Sequence, residues 1–204
     1  MGKVVFDISM SLDGYMTAAN RTPAEPTGEG GQRLTEWAMG SDSKSRRFLE
    51  EAIERLGATI CGRTTYDTSL PWWGADGPSG PARRPVFVVT HRAPDDSPED
   101  GVYTFLTDGI ESALEHAQGA AGDADVTIMG GASIGRQYIA AGLVDEISIH
   151  LVPVLFDGGT RMFDELGTGH IHLEPVEVIE APLAIHQRFR VIGRSHGAAT
   201  ASDG

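Results

Sequence analysis

Two glycines follow directly on an apolar run at Ile128-Met129-Gly130-Gly131-Ala132-Ser133-Ile134. Glycine at that place removes the Cβ atoms that would hold a phosphate away. A helix starting near Ala132 or Ser133 would point free N–H groups, and the positive end of its dipole, into the same space. A pyrophosphate fits such a place, and a P-loop does not, because no Gly-Lys-Ser/Thr follows. The glycine pair would equally serve close packing of strand on helix. A second apolar run ends in Gly62-Arg63-Thr64-Thr65-Tyr66. There glycine again clears space, the guanidinium offers a planar fork, and Thr65 could bring a hydroxyl and a helix N–H to one anion. Taken alone, Arg63 reads as well as a surface arginine. A third run, Val86 to Val89, ends in Thr90-His91-Arg92, which supplies a hydroxyl, an imidazole and a guanidinium in succession.

Three anion-suited places after three strands are much less expected by chance than one. The chain has 16 Lys and Arg against 29 Asp and Glu, a net charge of −13, so it needs such local donors to hold a polyanion. A pyrophosphate plus a ribose 2′-phosphate would use all three places, which points to NADPH rather than NADH. The same net charge excludes a general nucleic-acid binder, since an acidic surface repels a phosphate backbone. Cys61 is the one cysteine, which excludes an internal disulfide framework and a zinc site built on several thiolates. No stretch has the apolar length needed to cross a bilayer, and the N-terminal run is broken by Asp7, so no signal peptide is legible. A soluble, cytoplasmic protein without membrane or nucleic-acid partners is expected.

These residues must be positioned by a sheet. Val4, Phe6, Ile8 and Met10 alternate with smaller or polar residues, as in a strand with one apolar face. The Gly-, Pro- and Thr-rich stretch from Thr17 to Arg33 reads as a long loop, a feature usually tied to function. Phe48, Leu49, Ala52, Ile53 and Leu56 share a helical stripe, with Ser41 or Asp42 as N-cap and Gly57 as the stop. The spacing predicts strands at 58–61, 85–90, 102–106 and 126–129. It predicts helices from Thr64 or Thr65 to a break at Pro71, over 110–117 led by Asp108, and over 134–141 closed by Gly142. Ile147, Ile149 and Leu151, and later Leu183, Ile185, Phe189 and Val191, alternate with polar residues without helices between them, so antiparallel pairing is expected there. The result is an α/β fold with a mostly parallel central sheet, antiparallel C-terminal strands and flanking helices. It is read as one domain over 1–194, with 195–204 a flexible tail.

The motifs Ser11-Leu12-Asp13-Gly14-Tyr15, Gly62-Arg63-Thr64-Thr65-Tyr66 and Met129-Gly130-Gly131-Ala132-Ser133 stand in an order and spacing that resembles the dihydrofolate-reductase-like fold. With Leu143-Val144-Asp145-Glu146-Ile147 and Pro153-Val154-Leu155-Phe156-Asp157-Gly158-Gly159, the chain resembles more narrowly the RibD C-terminal domain family. That family holds the pyrimidine reductases of riboflavin biosynthesis and their stand-alone relatives. The resemblance implies an NADPH-dependent reductase similar to 5-amino-6-(5-phosphoribosylamino)uracil reductase, acting on a small heterocycle, with a homodimer common in such families. It implies that Gly62, Arg63, Thr64 and Thr65 meet cofactor phosphates, that Thr90, His91 and Arg92 flank the 2′-phosphate, and that Gly130, Gly131, Ala132, Ser133 and Ile134 wrap the pyrophosphate. Asp13 is the catalytic candidate, near nicotinamide and substrate, against a bland role in turn-making. Gly14, Trp37 and Asp42 are the substrate-side candidates.

Two departures stand out. Riboflavin-pathway reductases usually carry a lysine four residues before the serine of Ser-Leu-Asp-Gly, where this chain has Asp7. An acid there would repel a substrate phosphate if it faced the pocket. The zinc deaminase domain of the bifunctional enzymes is absent, since no Pro-Cys-x-x-Cys follows His172-Leu173-Glu174. His170 and His172 could share a strand face, but two ligands do not make a metal site. Trp72 and Trp73 suit a substrate pocket or the core equally, and Cys61 reads as an apolar filler. Nothing supports hydrolase chemistry. Two other readings stay open: a dihydrofolate reductase acting on a pterin, and a non-catalytic NADP-binding protein.

Overall fold

Short apolar runs build the parallel part of the sheet. In the computed structural model, which describes residues 2–164 and 166–195, eight strands form one sheet. They are β1 (Val4–Ser11), β3 (Leu56–Gly62), β4 (Val86–Val89), β5 (Tyr103–Leu106), β6 (Asp125–Met129), β7 (Glu146–Val152), β9 (His170–Glu180) and β10 (Ile185–Ser195). Their order across the sheet is β5-β4-β3-β6-β1-β7-β10-β9. The pairings from β5 through β7 are parallel, and those of β7 with β10 and β10 with β9 are antiparallel. Ala58, Ile60 and Cys61 are fully buried, as a strand covered on both faces requires. Ser195 closes β10, so the expected tail is shortened by one residue, and its remainder, 196–204, lies outside the described residues.

The helices are α1 (Glu36–Met39), α2 (Ser43–Arg55), α3 (Arg63–Trp73), α4 (Ile110–Ala121) and α5 (Ala132–Ala141). Asp42 does cap α2, accepting a hydrogen bond from the Ser45 N–H at 2.8 Å. Gly57 is not its stop: α2 runs through Leu56 straight into β3. A Cβ at Gly57 would lie 2.5 Å from the Ala121 Cβ, so the glycine is there to let β3 and α4 touch. Pro71 does not break α3 either, because it falls in the last turn and forfeits one backbone bond before the helix ends at Trp73. Asp108 does not cap α4. That place is taken by Gly109, at φ +98°, with no side-chain cap.

One strand pairs both as expected and otherwise. The alternation predicts a two-faced strand paired antiparallel, and β7 does lie antiparallel to β10. On its other edge β7 lies parallel to β1, and Glu146, Ser148 and His150 are buried on its polar face. That face is roofed by Leu34, Trp37 and Phe48 from the α1–α2 region, packed with Val152 and Ala184. On the sheet's other side Phe6, Ile60, Ile128 and Tyr138, each fully buried, anchor the main core. A two-stranded ladder, β2 (Tyr15–Thr17) with β8 (Thr160–Arg161), folds the segment after β1 against the chain beyond β7. Among the described residues, no helix is long and apolar enough to cross a membrane.

Candidate active site

In an open α/β sheet a ligand settles beyond the carboxyl ends of the strands. A cleft of about 1660 Å³ opens there, and all twelve residues expected to bind cofactor line it: Gly62, Arg63, Thr64 and Thr65; Thr90, His91 and Arg92; Gly130, Gly131, Ala132, Ser133 and Ile134. The volume exceeds that of a drug-sized pocket and leaves room for a dinucleotide beside a second molecule.

Three of the helices that begin on this cleft do so at a glycine without a side-chain cap: α3 after Gly62, α4 after Gly109 and α5 after Gly131. Their first-turn N–H groups therefore lack the partner that Asp42 provides for α2. Gly130 and Gly131 take φ of +65° and +71°, a left-handed turn that β-carbons resist. A Cβ on Gly130 would sit 3.0 Å from Thr65 Cγ2, and one on Gly131 3.3 Å from Thr65 Oγ1. The turn after β6 is thus pressed against the start of α3, and two motifs far apart in sequence form one concavity. Arg63 is held at its edge: Nε donates to Asp67 at 2.7 Å and Nη1 to the Arg92 carbonyl at 2.9 Å. Thr90 Oγ1 donates to the same carbonyl at 2.7 Å, and the Arg92 guanidinium is exposed and forked on Asp95. Bare helix N-termini, a Cβ-free cradle and two edge guanidiniums fit a dinucleotide that carries a third phosphate.

The cleft's other end is built on β1, β7 and α1. Trp37 lines it as expected, with its Nε1 donating to Ser9 Oγ at 3.0 Å. Beside it Asp7, with 23% of its side chain open, faces His150, whose Nε2 lies 3.1 Å from Oδ2 and 3.3 Å from Oδ1. Burial pushes the Asp7 carboxyl up. The charge and hydrogen bond of His150, a hydrogen bond from Ser148 and the charge of Arg188 outweigh it, and the net displacement is downward. His150 Nδ1 is 3.0 Å from His186 Nδ1, and His186 Nε2 is 3.1 Å from Ser45 Oγ. The His186 imidazole is pulled down to about 4, first by burial and then by His150, against the opposing charges of Asp7 and Asp42. Part of the long loop after β2 leans over this region. The Ala18 N–H is bonded to the Thr27 carbonyl at 2.8 Å, and Arg21, Thr27 and Gln32 line the cleft.

Three expected residues are placed elsewhere. The Asp13 carboxylate does not line the cleft. It takes the Ser11 hydroxyl at 2.5 Å and the N–H groups of Phe156 and Asp157, which clasps the turn after β1 to the chain beyond β7. The Ser11 bond leads the causes that lower its pKa to about 2. Gly14, at φ +88°, carries that turn, and Asp42 caps α2 away from the cleft. Their residue types suit turns and caps as well as active sites, and here the local bond wins. Conversely, sequence reasoning missed Gly109, and it missed His150, His186 and Ser45. Asp7 was noticed only as a departure. The histidines carried no usable signal, because each sits at a polar position of an alternating strand. Cys61, buried in β3 with its thiol pushed up to about 12 by burial, is the inert filler expected.

A family model described as the RibD C-terminal domain matches residues 2–183. None of the curated proteins matches the chain. Among solved structures, the fold is shared with a putative riboflavin biosynthesis protein from Shewanella sp. PV-4, at a TM-score of 0.71 and 19% identity over 94% of this chain and 99% of that one. It is shared with dihydrofolate reductase from Enterococcus faecalis complexed with NADP(H), at a TM-score of 0.56 and 16% identity over 93% and 96%. A diaminohydroxyphosphoribosylaminopyrimidine deaminase/5-amino-6-(5-phosphoribosylamino)uracil reductase from Thermotoga maritima aligns at a TM-score of 0.64 and 13% identity. That alignment covers 94% of this chain but 57% of the longer one.

Proposed function

The chain belongs to the RibD C-terminal domain family, and on that premise we propose that it is an NADPH-dependent reductase of a small nitrogen heterocycle. The observation that carries this reading is the convergence of three uncapped, glycine-started helices on one cleft whose far end holds a carboxylate and an indole. Bound NADPH would supply a hydride from its nicotinamide. The chain's own groups would hold it. Gly130, Gly131 and the first N–H groups of α5 would meet the pyrophosphate, with Thr65 beside them. Thr90, His91 and Arg92, with Arg63, would meet the 2′-phosphate. Trp37 would pack against the flat acceptor and Asp7 would accept hydrogen bonds from its N–H edge, keeping it at reacting distance.

Asp7 also narrows the acceptor. A carboxylate in the cleft, where RibD-type reductases usually carry a lysine, disfavours a phosphate at that end. We therefore propose an acceptor whose ring N–H groups, not a phosphoribosyl tail, meet β1. This favours the second reading, reduction of a pterin-like ring, over an aminouracil phosphate. The test is calorimetry with NADPH and NADH, followed by NADPH oxidation with pterin and aminouracil acceptors. Tighter binding of NADPH and turnover of an unphosphorylated ring are expected. Binding without turnover on any acceptor would leave a nucleotide-binding protein instead, and no binding of either nucleotide would overturn the reading.

A further inference from the structure

Behind the cleft an unbranched file of hydrogen-bonding side chains leads away from Asp7. It passes from the carboxylate to His150 at 3.1 Å, to His186 at 3.0 Å and to Ser45 at 3.1 Å. It ends at Asp42, which takes both the N–H and the hydroxyl of Ser45. Ser45, His150 and His186 are each at most 2% exposed, while Asp42 is part-exposed at the start of α2. Aromatic rings sheathe the file: Trp37 lies 4.2 Å from His150 and 4.7 Å from His186, and Phe48 stacks on His186 at 4.8 Å. Such a sheath excludes competing water. Each imidazole can accept a proton on one nitrogen and release one from the other, and the Ser45 hydroxyl does both at Oγ.

We propose that this file conducts a proton from solvent at Asp42 to Asp7, to complete each reduction in the cleft; the proposal rests on the reductase reading above. In the step, solvent first protonates Asp42, and the Ser45 hydroxyl turns from Asp42 towards His186. Asp42 then gives its proton to Ser45 Oγ as the hydroxyl proton passes to His186 Nε2. The His186 Nδ1 proton passes to His150 Nδ1, and the His150 Nε2 proton passes to Asp7. Four bonds to hydrogen break and four form, and the net change is one proton moved from Asp42 to Asp7. Asp7 hands it to the acceptor atom that does not receive the hydride, so hydride and proton together make the reduced product. Turning of the hydroxyl and the two imidazoles, with reprotonation of Asp42 by solvent, resets the file. The charged neighbours that bias it are Arg188 from β10, near Asp7, and Lys44 from α2, near Asp42.

The test is Ser45→Ala, which cuts the file outside the cleft, and Ser45→Thr, which restores the hydroxyl. Ser45→Ala should lower kcat about tenfold or more with KM and NADPH affinity unchanged, and Ser45→Thr should recover most of it. A role in packing alone would be lost in both variants. In the nucleotide-free protein, histidine-selective 15N NMR should show the His186 proton on Nε2, where Ser45 Oγ accepts it, and Ser45→Ala should shift the His186 tautomer. Wild-type turnover in Ser45→Ala, or histidine tautomers indifferent to it, would overturn the proposal while leaving the reductase reading intact. Failure of the native chain to bind NADPH would overturn that reading and the proposal with it.

Discussion

The β3–β4–β6 side of the cleft and the β1–β7–β10 side treat their polar groups in opposite ways. On the first side α3, α4 and α5 begin at glycines and leave their N–H groups without side-chain caps. On the second side the polar atoms are already spoken for: Asp7 by His150, His150 by His186, His186 by Ser45, and Ser9 by Trp37. The helix packed there, α2, is the one that carries a carboxylate cap. Unsatisfied donors in a concave, open place suit a ligand that arrives with its own acceptors. A buried polar group has no such visitor and is costly unless the fold itself satisfies it. One side therefore presents open donors, and the other a closed file of satisfied polar groups.

Changes that separate the two sides should break this contrast, the largest first. Phe48→Ala removes the roof over His150 and His186 and should cost about 3–5 kcal/mol. Urea unfolding should register it, while NADPH affinity of the remaining native protein stays near the parent value. If the two sides lose function together, they are not separable.

The second prediction is a pH effect confined to the β10 side. Native His186 stays neutral down to about 4, whereas the unfolded imidazole protonates near 6.5. The unfolded chain therefore binds more protons between those values, and stability falls as pH drops through that window, by on the order of 2 kcal/mol after allowance for partial solvation. Unfolding midpoints across pH should show the slope in the parent chain and lose it in His186→Phe.

Gly131→Ala acts on the other side. A Cβ at φ +71°, beside Ile134 Cγ2 at 3.1 Å, strains the turn that frames the α5 N-terminus. NADPH binding should weaken about tenfold by calorimetry, without altering the pH slope. The smallest effect is expected from Asp95→Ala, which frees an exposed Arg92 from its ion pair. The ratio of NADPH to NADH affinity should rise by less than about fivefold, since exposed pairs hold little energy. A fall in that ratio would show that Asp95 orients Arg92 instead of competing for it.

The cleft's two sides also differ in how far they could be read from residues. Gly130-Gly131, Gly62-Arg63 and Thr90-His91-Arg92 could be placed on one cleft because a glycine between a strand end and a helix start is a local device. The strand, the glycine and the helix start are contiguous, and all twelve positions face the cleft. Asp13, Gly14 and Asp42 stand off the cleft lining, and in a sequence an Asp-Gly turn and an Asp N-cap look the same whether or not a ligand is near.

The sequence determined the order of strands and helices, the parallel core and the glycine-started side of the cleft, because periodicity and glycine placement act over a few residues. Only the tertiary structure decided the acid side. Its members come from positions 7, 37, 45, 150 and 186, and they meet because β1 pairs Ser9 with His150 and β7 pairs His150 with His186. Whether the polar face of β7 met water or a buried relay depended on α2 lying across it, and no local pattern encodes which helix covers a distant strand.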